Sequence, residues 1–227
     1  MRILFVAIAA TLLTSSTTVA QPRPGVNPCV TPGSRVAPVL RPVDEGSRRA
    51  NFVEFRRRLQ EAVARKDEAA VLAVVDPGVR ISFGDSGGAQ AFKTAVIENR
   101  DEDFWLEFAT ILRLGGRFRT KDDFDAPYTF SAWPEDLDSF ECLALTGSRV
   151  RVRAAPGVDG RIVTQLDYAI VRANRAKVET PEWIGVRLPD GQAGFVSSQY
   201  IRSPIDRRAL FQFHDGRWWL MAYVAGD

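Results

Sequence analysis

Residues 148–203 constrain the fold of this chain more than any other stretch. They consist of short apolar alternations separated by close-set turn signals, Ala155-Pro156-Gly157, Asp159-Gly160 and Pro189-Asp190-Gly191. Side chains on a strand alternate between two faces. Val150 and Val152 therefore share one face, and Arg149, Arg151 and Arg153 share the other. Ile184, Val186 and Leu188 repeat the pattern. Glycine accepts positive φ without steric cost, so Asp190-Gly191 favours a tight reversal. Many short strands at this spacing predict a small closed barrel or sandwich. Trp183 falls out of phase with Ile184, Val186 and Leu188 and is predicted to point away from their core. It is either a lid over the barrel edge or domain junction, or an aromatic platform in a peptide groove.

The pieces also come in the order of a bacterial SH3 domain, and the stretch resembles that family. The matching residues are Val150-Arg151-Val152-Arg153 with Ala155-Pro156, then Trp183-Ile184-Gly185-Val186. A turn at Asp190-Gly191 leads to Gly194-Phe195-Val196 and Tyr200-Ile201. The resemblance covers about a quarter of the chain. It implies an SH3-like β-barrel over residues 147–203 and a partner in the cell envelope, either wall peptide or an envelope protein. It does not name the ligand, because function lives in sites grafted onto folds.

The chain opens MRILFVAIAATLLTSSTTVAQ. One arginine precedes an apolar run from Ile3 to Leu13, followed by small polar residues up to Ala20. This predicts a secretory signal peptide over residues 1–20, cleaved after Ala20, and a periplasmic or secreted mature protein. The run is too short to span a bilayer. A formal charge of +2 gives no support for a nucleic-acid partner or a polybasic membrane patch. In an oxidising compartment the two cysteines, Cys29 and Cys142, are expected to form a disulfide; the alternative is two buried thiols. Six prolines between Pro22 and Pro42 remove backbone donors and block helix, so residues 21–46 read as an extended linker.

From Ser47 the period becomes helical. Phe52, Phe55, Leu59 and Val63 form one helix face, with Arg56, Arg57 and Arg58 expected in solvent. Asp67 can cap a second helix ended by Pro77-Gly78, and residues 79–83 alternate as a strand. Gly84-Asp85-Ser86-Gly87-Gly88 lacks the lysine and spacing of a P-loop and reads as a turn. A third helix is predicted over 89–99. A fourth, capped by Asp101 or Asp103, carries Phe104, Trp105, Phe108, Ile111 and Leu112 and is stopped by Gly115-Gly116. Residues 127–134 read as a strand.

Residues 209–224 read as a hairpin about Asp215-Gly216. The SH3-like unit does not need it, and a lone hairpin is barely stable in water. It should therefore pair with strands that precede the barrel. The predicted fold is α+β: a discontinuous helical/antiparallel-sheet domain over 47–146 and 204–227, with the barrel inserted. Helices followed by strands and a terminal DGxW hairpin resemble the cystatin-type α+β fold of nuclear-transport-factor-2-like proteins. The chain also resembles secreted bacterial proteins of unassigned function that carry the same SH3 insertion.

The residues offer little chemistry. His214, the only histidine, precedes a turn, and one histidine with two distant cysteines does not make a common zinc set. Glu98, Asp101, Glu102, Asp103 and Glu107 cluster where acids favour a helix start. The reading is a non-catalytic binding protein with no cofactor and no metal, and with Arg151, Arg153 and Trp183 in its groove. The alternative is a small-ligand receptor or envelope enzyme using an apolar pocket of Trp105, Phe108 and Trp219. A third reading makes the barrel an inert insertion. Oligomeric state is left open.

Overall fold

The computed structural model describes residue 29 and residues 36–82, 87–100, 103–175 and 180–226. The expected signal peptide, most of the proline-rich segment, residues 83–86, Asp101 and Glu102 lie outside the described residues. Helix and sheet are mixed, as in an α+β chain, and no helix of the described residues is long and apolar enough to cross a membrane.

The first two α-helices are α1 (Ala50–Ala64) and α2 (Glu68–Leu72). Phe52, Leu59 and Val63 of α1 are buried. On its wet side, Arg57 and Arg58 hydrogen-bond Glu54, which holds that carboxyl down at about 2. Arg56 departs from the expected solvent face and pairs with Asp44 at 2.6 Å. Asp67 caps α2 by accepting from the Ala70 N–H at 3.0 Å. Strand β1 (Val75–Arg80) follows, earlier than predicted, and carries Pro77-Gly78 within it. Helix α3 (Ala89–Phe92) passes into a π-turn over Lys93–Ile97. Helix α4 (Phe104–Leu114) is capped by Asp103 and stopped by Gly115 at φ 69°.

A hairpin unforeseen from the sequence comes next, β2 (Arg117–Thr120) and β3 (Asp123–Ala126). The predicted strand over 127–134 is instead the short helix α5 (Tyr128–Ser131), with Pro127 at its N-cap. Proline's fixed φ and missing N–H suit a helix start, and Tyr128 and Thr129 are buried there by position rather than by strand alternation.

Seven short strands then build one sheet: β4 (Cys142–Leu145), β5 (Val150–Arg153), β6 (Ile162–Leu166), β7 (Ile170–Ala173), β8 (Trp183–Arg187), β9 (Ala193–Ser197) and β10 (Ile201–Arg202). Its order is β10-β4-β7-β8-β9-β5-β6. Strands β6 and β10 do not pair, so among the described residues the sheet stays open and the expected closed barrel is not formed. The sheet begins with β4, upstream of the expected start at 147, because β4 pairs with both β7 and β10. Val150, Val152, Val186, Leu188 and Val196 fill its core. Ile184 does not join them; it is only half-buried and faces a separate cavity with Leu143 and Phe140.

The chain returns as β11 (Arg208–His214) and β12 (Arg217–Val224), turning at Asp215 and Gly216, both at positive φ. These strands complete a five-stranded sheet of order β1-β12-β11-β3-β2. Its pairs are antiparallel except β1 with β12, which is parallel. The helices cover one face. Phe52 meets Phe124 and Trp218 at ring separations of 4.2 and 4.8 Å, and Phe104 and Phe108 pack on Tyr223.

Residues 36–46 do not behave as a free linker. The Leu40 N–H donates to the Tyr168 carbonyl and the Ile170 N–H to the Pro38 carbonyl, tying the segment to the seven-stranded sheet. Further along, the Glu45 N–H donates to the Gly116 carbonyl and the Glu45 carboxylate accepts from the Phe118 N–H. The segment thus straps the two sheets together. Leu40 is buried with Leu114, Tyr128 and Ile170 in a cluster between them. That cluster also holds the disulfide, which joins Cys29 to Cys142 with 5.4 Å between Cα atoms.

Candidate functional site

Strand alternation puts Arg151 on the face of β5 opposite Val150 and Val152, whose side chains are in the core. Arg151 is exposed, and its side chain has no hydrogen bond or ion pair among the described residues. Its register partner is Gln165 on β6. Two strands away, Trp183 opens β8 opposite Ser197 of β9 and is half-buried. A groove of about 510 Å³ connects these residues. Arg149, Arg151, Arg153, Trp183, Tyr200 and Val158 line it, with Gln165, Gln199, Ser148 and Ser197 supplying neutral polar groups. The sequence-predicted trio Arg151, Arg153 and Trp183 is therefore brought to one concavity. Arg149, Tyr200 and Val158 were not singled out from sequence. Arg149 follows from the same alternation, but Val158 sits in a turn and Tyr200 in a single helical turn, where periodicity gives no direction.

Among the described residues the lining holds three arginines and no acid. Arg153 is committed elsewhere, since it is buried and its Nη1 donates to the Gly160 carbonyl at 2.7 Å. Arg149 takes φ 51° just before β5, and its backbone N–H donates to the Asp167 carboxylate at 2.6 Å. The Ser148 hydroxyl donates to the same oxygen at 2.7 Å. These hydrogen bonds, the serine's first, hold the Asp167 carboxyl below its ordinary range. Asp167 thus fixes the groove's rim through the backbone rather than lining the groove. Gly194 sits beneath it, where β9 crosses β5. A Cβ there would meet Val152 Cγ1 at 2.5 Å and the Arg153 carbonyl oxygen at 2.9 Å. The arrangement offers two guanidinium groups, two aromatic rings and amide donors to an extended anionic ligand.

Trp105, Phe108 and Trp219 are not brought together in this way. Phe108 is fully buried between Phe104 and Tyr223. Trp105 is half-buried, edge-on to Phe104 at 5.0 Å. Trp219 alternates with Trp218 and Leu220, which face the helices, so it lies on the other side of the sheet. There it stacks on His214 at 5.5 Å, with the Arg217 guanidinium over its ring. His214 Nε2 stands 3.2 Å from Asp76 and Nδ1 stands 3.0 Å from Asp215. Among the described residues these contacts give the histidine acidic partners and no hydroxyl or thiol to activate.

Of the acidic residues noted in sequence, Asp103 caps α4, Glu98 lies 3.5 Å from Lys93, and Glu107 pairs with Arg202. Each has a structural partner. Cys29 and Cys142 are both in the disulfide. No protein-family model matches this sequence, and no curated protein matches it.

Proposed function

We propose that the protein is a non-catalytic binding protein of the cell envelope, exported by its N-terminal leader. Its seven-stranded sheet is an SH3-type module that holds a carboxylate-bearing extended peptide, from the wall or from an envelope protein. The observation that carries this reading is the groove itself, with three arginines, Trp183 and Tyr200 in its lining and no acid among its described residues. Rings supply contact area at low entropic cost, and guanidinium forks pair with carboxylates. The disulfide agrees with an oxidising compartment. A receptor or enzyme pocket built on Trp105, Phe108 and Trp219 has less support, since those side chains do not converge.

Fluorescence titration of the protein with a glutamate-rich peptide, and with the same peptide carrying glutamine instead, tests the reading. The acidic peptide is expected to bind, the neutral one to bind weakly. Trp183→Ala should cost about 1–3 kcal/mol, the scale of an aromatic hot spot. Equal binding of both peptides, or unchanged binding by a folded Trp183→Ala protein, removes the groove from this role.

A further inference from the structure

An exposed strand edge invites pairing with another chain, and proteins normally blunt such edges with charge, proline, irregularity or brevity. Among the described residues, three of the four sheet edges are blunted. Strand β1 carries Asp76 and Pro77 and an irregular register. Strand β2 carries Arg117 and Arg119, and β10 is only two residues long. The fourth, β6, reads Ile-Val-Thr-Gln-Leu, with neither charge nor proline. It pairs with β5 alone, and among the described residues nothing hydrogen-bonds the backbone on its other side. Ile162 at its start is 41% exposed.

This unprotected edge borders the arginine groove. Gln165 of β6 lines the groove beside its register partner Arg151. Asp167, just beyond the end of β6, holds the Arg149 backbone. A strand added outside β6 would lie two inter-strand steps from β5, about 10 Å. A guanidinium from β5 and a glutamate on the added strand can close that gap between them. Every second side chain of such a strand would face the groove.

We propose that the outer edge of β6 takes up an extended segment of an acidic protein partner as an additional strand, with alternate carboxylates paired to Arg149 and Arg151. This rests on the reading of the groove as an anion-binding site and specifies its partner. Charge selects the occupant. A second copy pairing through β6 would bring two arginine grooves together, whereas an acidic segment neutralises one. Wall peptide is branched and contains D-residues, which do not continue an L-strand ladder, so the backbone edge favours a protein segment.

The test uses the full chain and a synthetic peptide alternating glutamate with valine, compared with the same peptide N-methylated at alternate backbone amides on its pairing edge. Affinity and amide hydrogen exchange are both measured. Strand addition predicts that the parent peptide slows exchange at outward-facing amides of β6 and that N-methylation weakens binding at least about tenfold, because several backbone hydrogen bonds are lost. Arg151→Ala should weaken the parent peptide as well. Equal binding of both peptides with β6 exchange unchanged would overturn strand addition while leaving the groove as a side-chain site. Binding of soluble wall fragments in place of the peptide, or dimerisation that protects β6 without peptide, also overturns it. Failure of every anionic probe to bind would bring down the groove reading together with this one.

Discussion

Arg202 of β10 forms an ion pair with Glu107 of α4, across the boundary between the seven-stranded sheet and the helical half. The arginine is only 8% exposed. Its Nη2 donates both to Glu107 and to the Arg207 carbonyl, and its Nε is buried without a hydrogen-bond partner. A buried guanidinium that loses its carboxylate keeps the cost of desolvation. Glu107→Ala should therefore lower stability by about 1–3 kcal/mol in urea unfolding. Arg202→Met in that background should recover part of the loss; a further loss of the same size would mean the pair is not what holds the boundary.

The disulfide closes a separation of 113 residues. Its two sulfurs lie in a buried cluster with Leu40, Tyr128 and Ile170. Replacing both cysteines with serine should cost about 2–5 kcal/mol, chiefly because the unfolded chain is no longer cross-linked. Thermal unfolding of wild type, reduced wild type and the double variant measures this. Three coincident transitions would contradict it.

Gly194→Ala places a methyl against Val152 and the Arg153 carbonyl, where the backbone cannot easily give way. Overpacking of this kind costs about 1–3 kcal/mol. The loss should be accompanied by weaker binding of acidic peptide, since β5 carries Arg151 and Arg153 of the groove. A folded variant of wild-type stability would show that β9 and β5 separate freely.

Asp125 supplies the pH prediction. Burial raises its carboxyl above the ordinary range, against the opposing pull of Arg119, with Asp123 adding to the rise and Arg208 opposing it. One of its oxygens is buried without a hydrogen-bond partner. A carboxyl raised on folding binds its proton more tightly in the folded state. Stability from this group is thus gained as pH falls through the folded value, is complete below the unfolded value, and is absent at neutral pH. Asp125→Asn should stabilise the protein at pH 7, and the difference should close on acidification. A difference that widens as pH falls would reverse the assignment.

How much of this was legible in the sequence depended on whether neighbours or tertiary partners decide each segment. Strand β5, the Asp215-Gly216 turn and the caps at Asp67 and Asp103 follow from local rules. Alternation, positive φ and a carboxylate at a helix start need no distant contact. For the same reason Arg151 and Trp183 could be assigned a direction before any partner was known. The failures share the opposite cause. Residues 117–126 alternate charge with phenylalanine so briefly that only pairing makes them strands, β2 with β3 and β3 with β11. Residues 127–131 have strand-like composition, yet Pro127 starts a helix there. Val39 and Leu40 looked like linker because prolines surround them, whereas their position is set by Tyr168 and Ala169, far along the chain. Trp105, Phe108 and Trp219 were grouped by aromatic character, and a sheet separates Trp219 from Phe108.

Strands β4 and β10, through which the chain enters and leaves the seven-stranded sheet, lie side by side, with Ala144 opposite Arg202 and Leu145 opposite Ile201. Tension on a peptide seated in the groove would converge on this narrow neck and tend to unzip it. Cys142 sits at the base of the neck, covalently joined to Cys29. Any load borne by the chain on the N-terminal side of Cys29 therefore enters through a bond that cannot be unzipped. It reaches the seven-stranded sheet through Cys142 of β4 rather than along the helices, leaving the helical core mechanically off the line of pull.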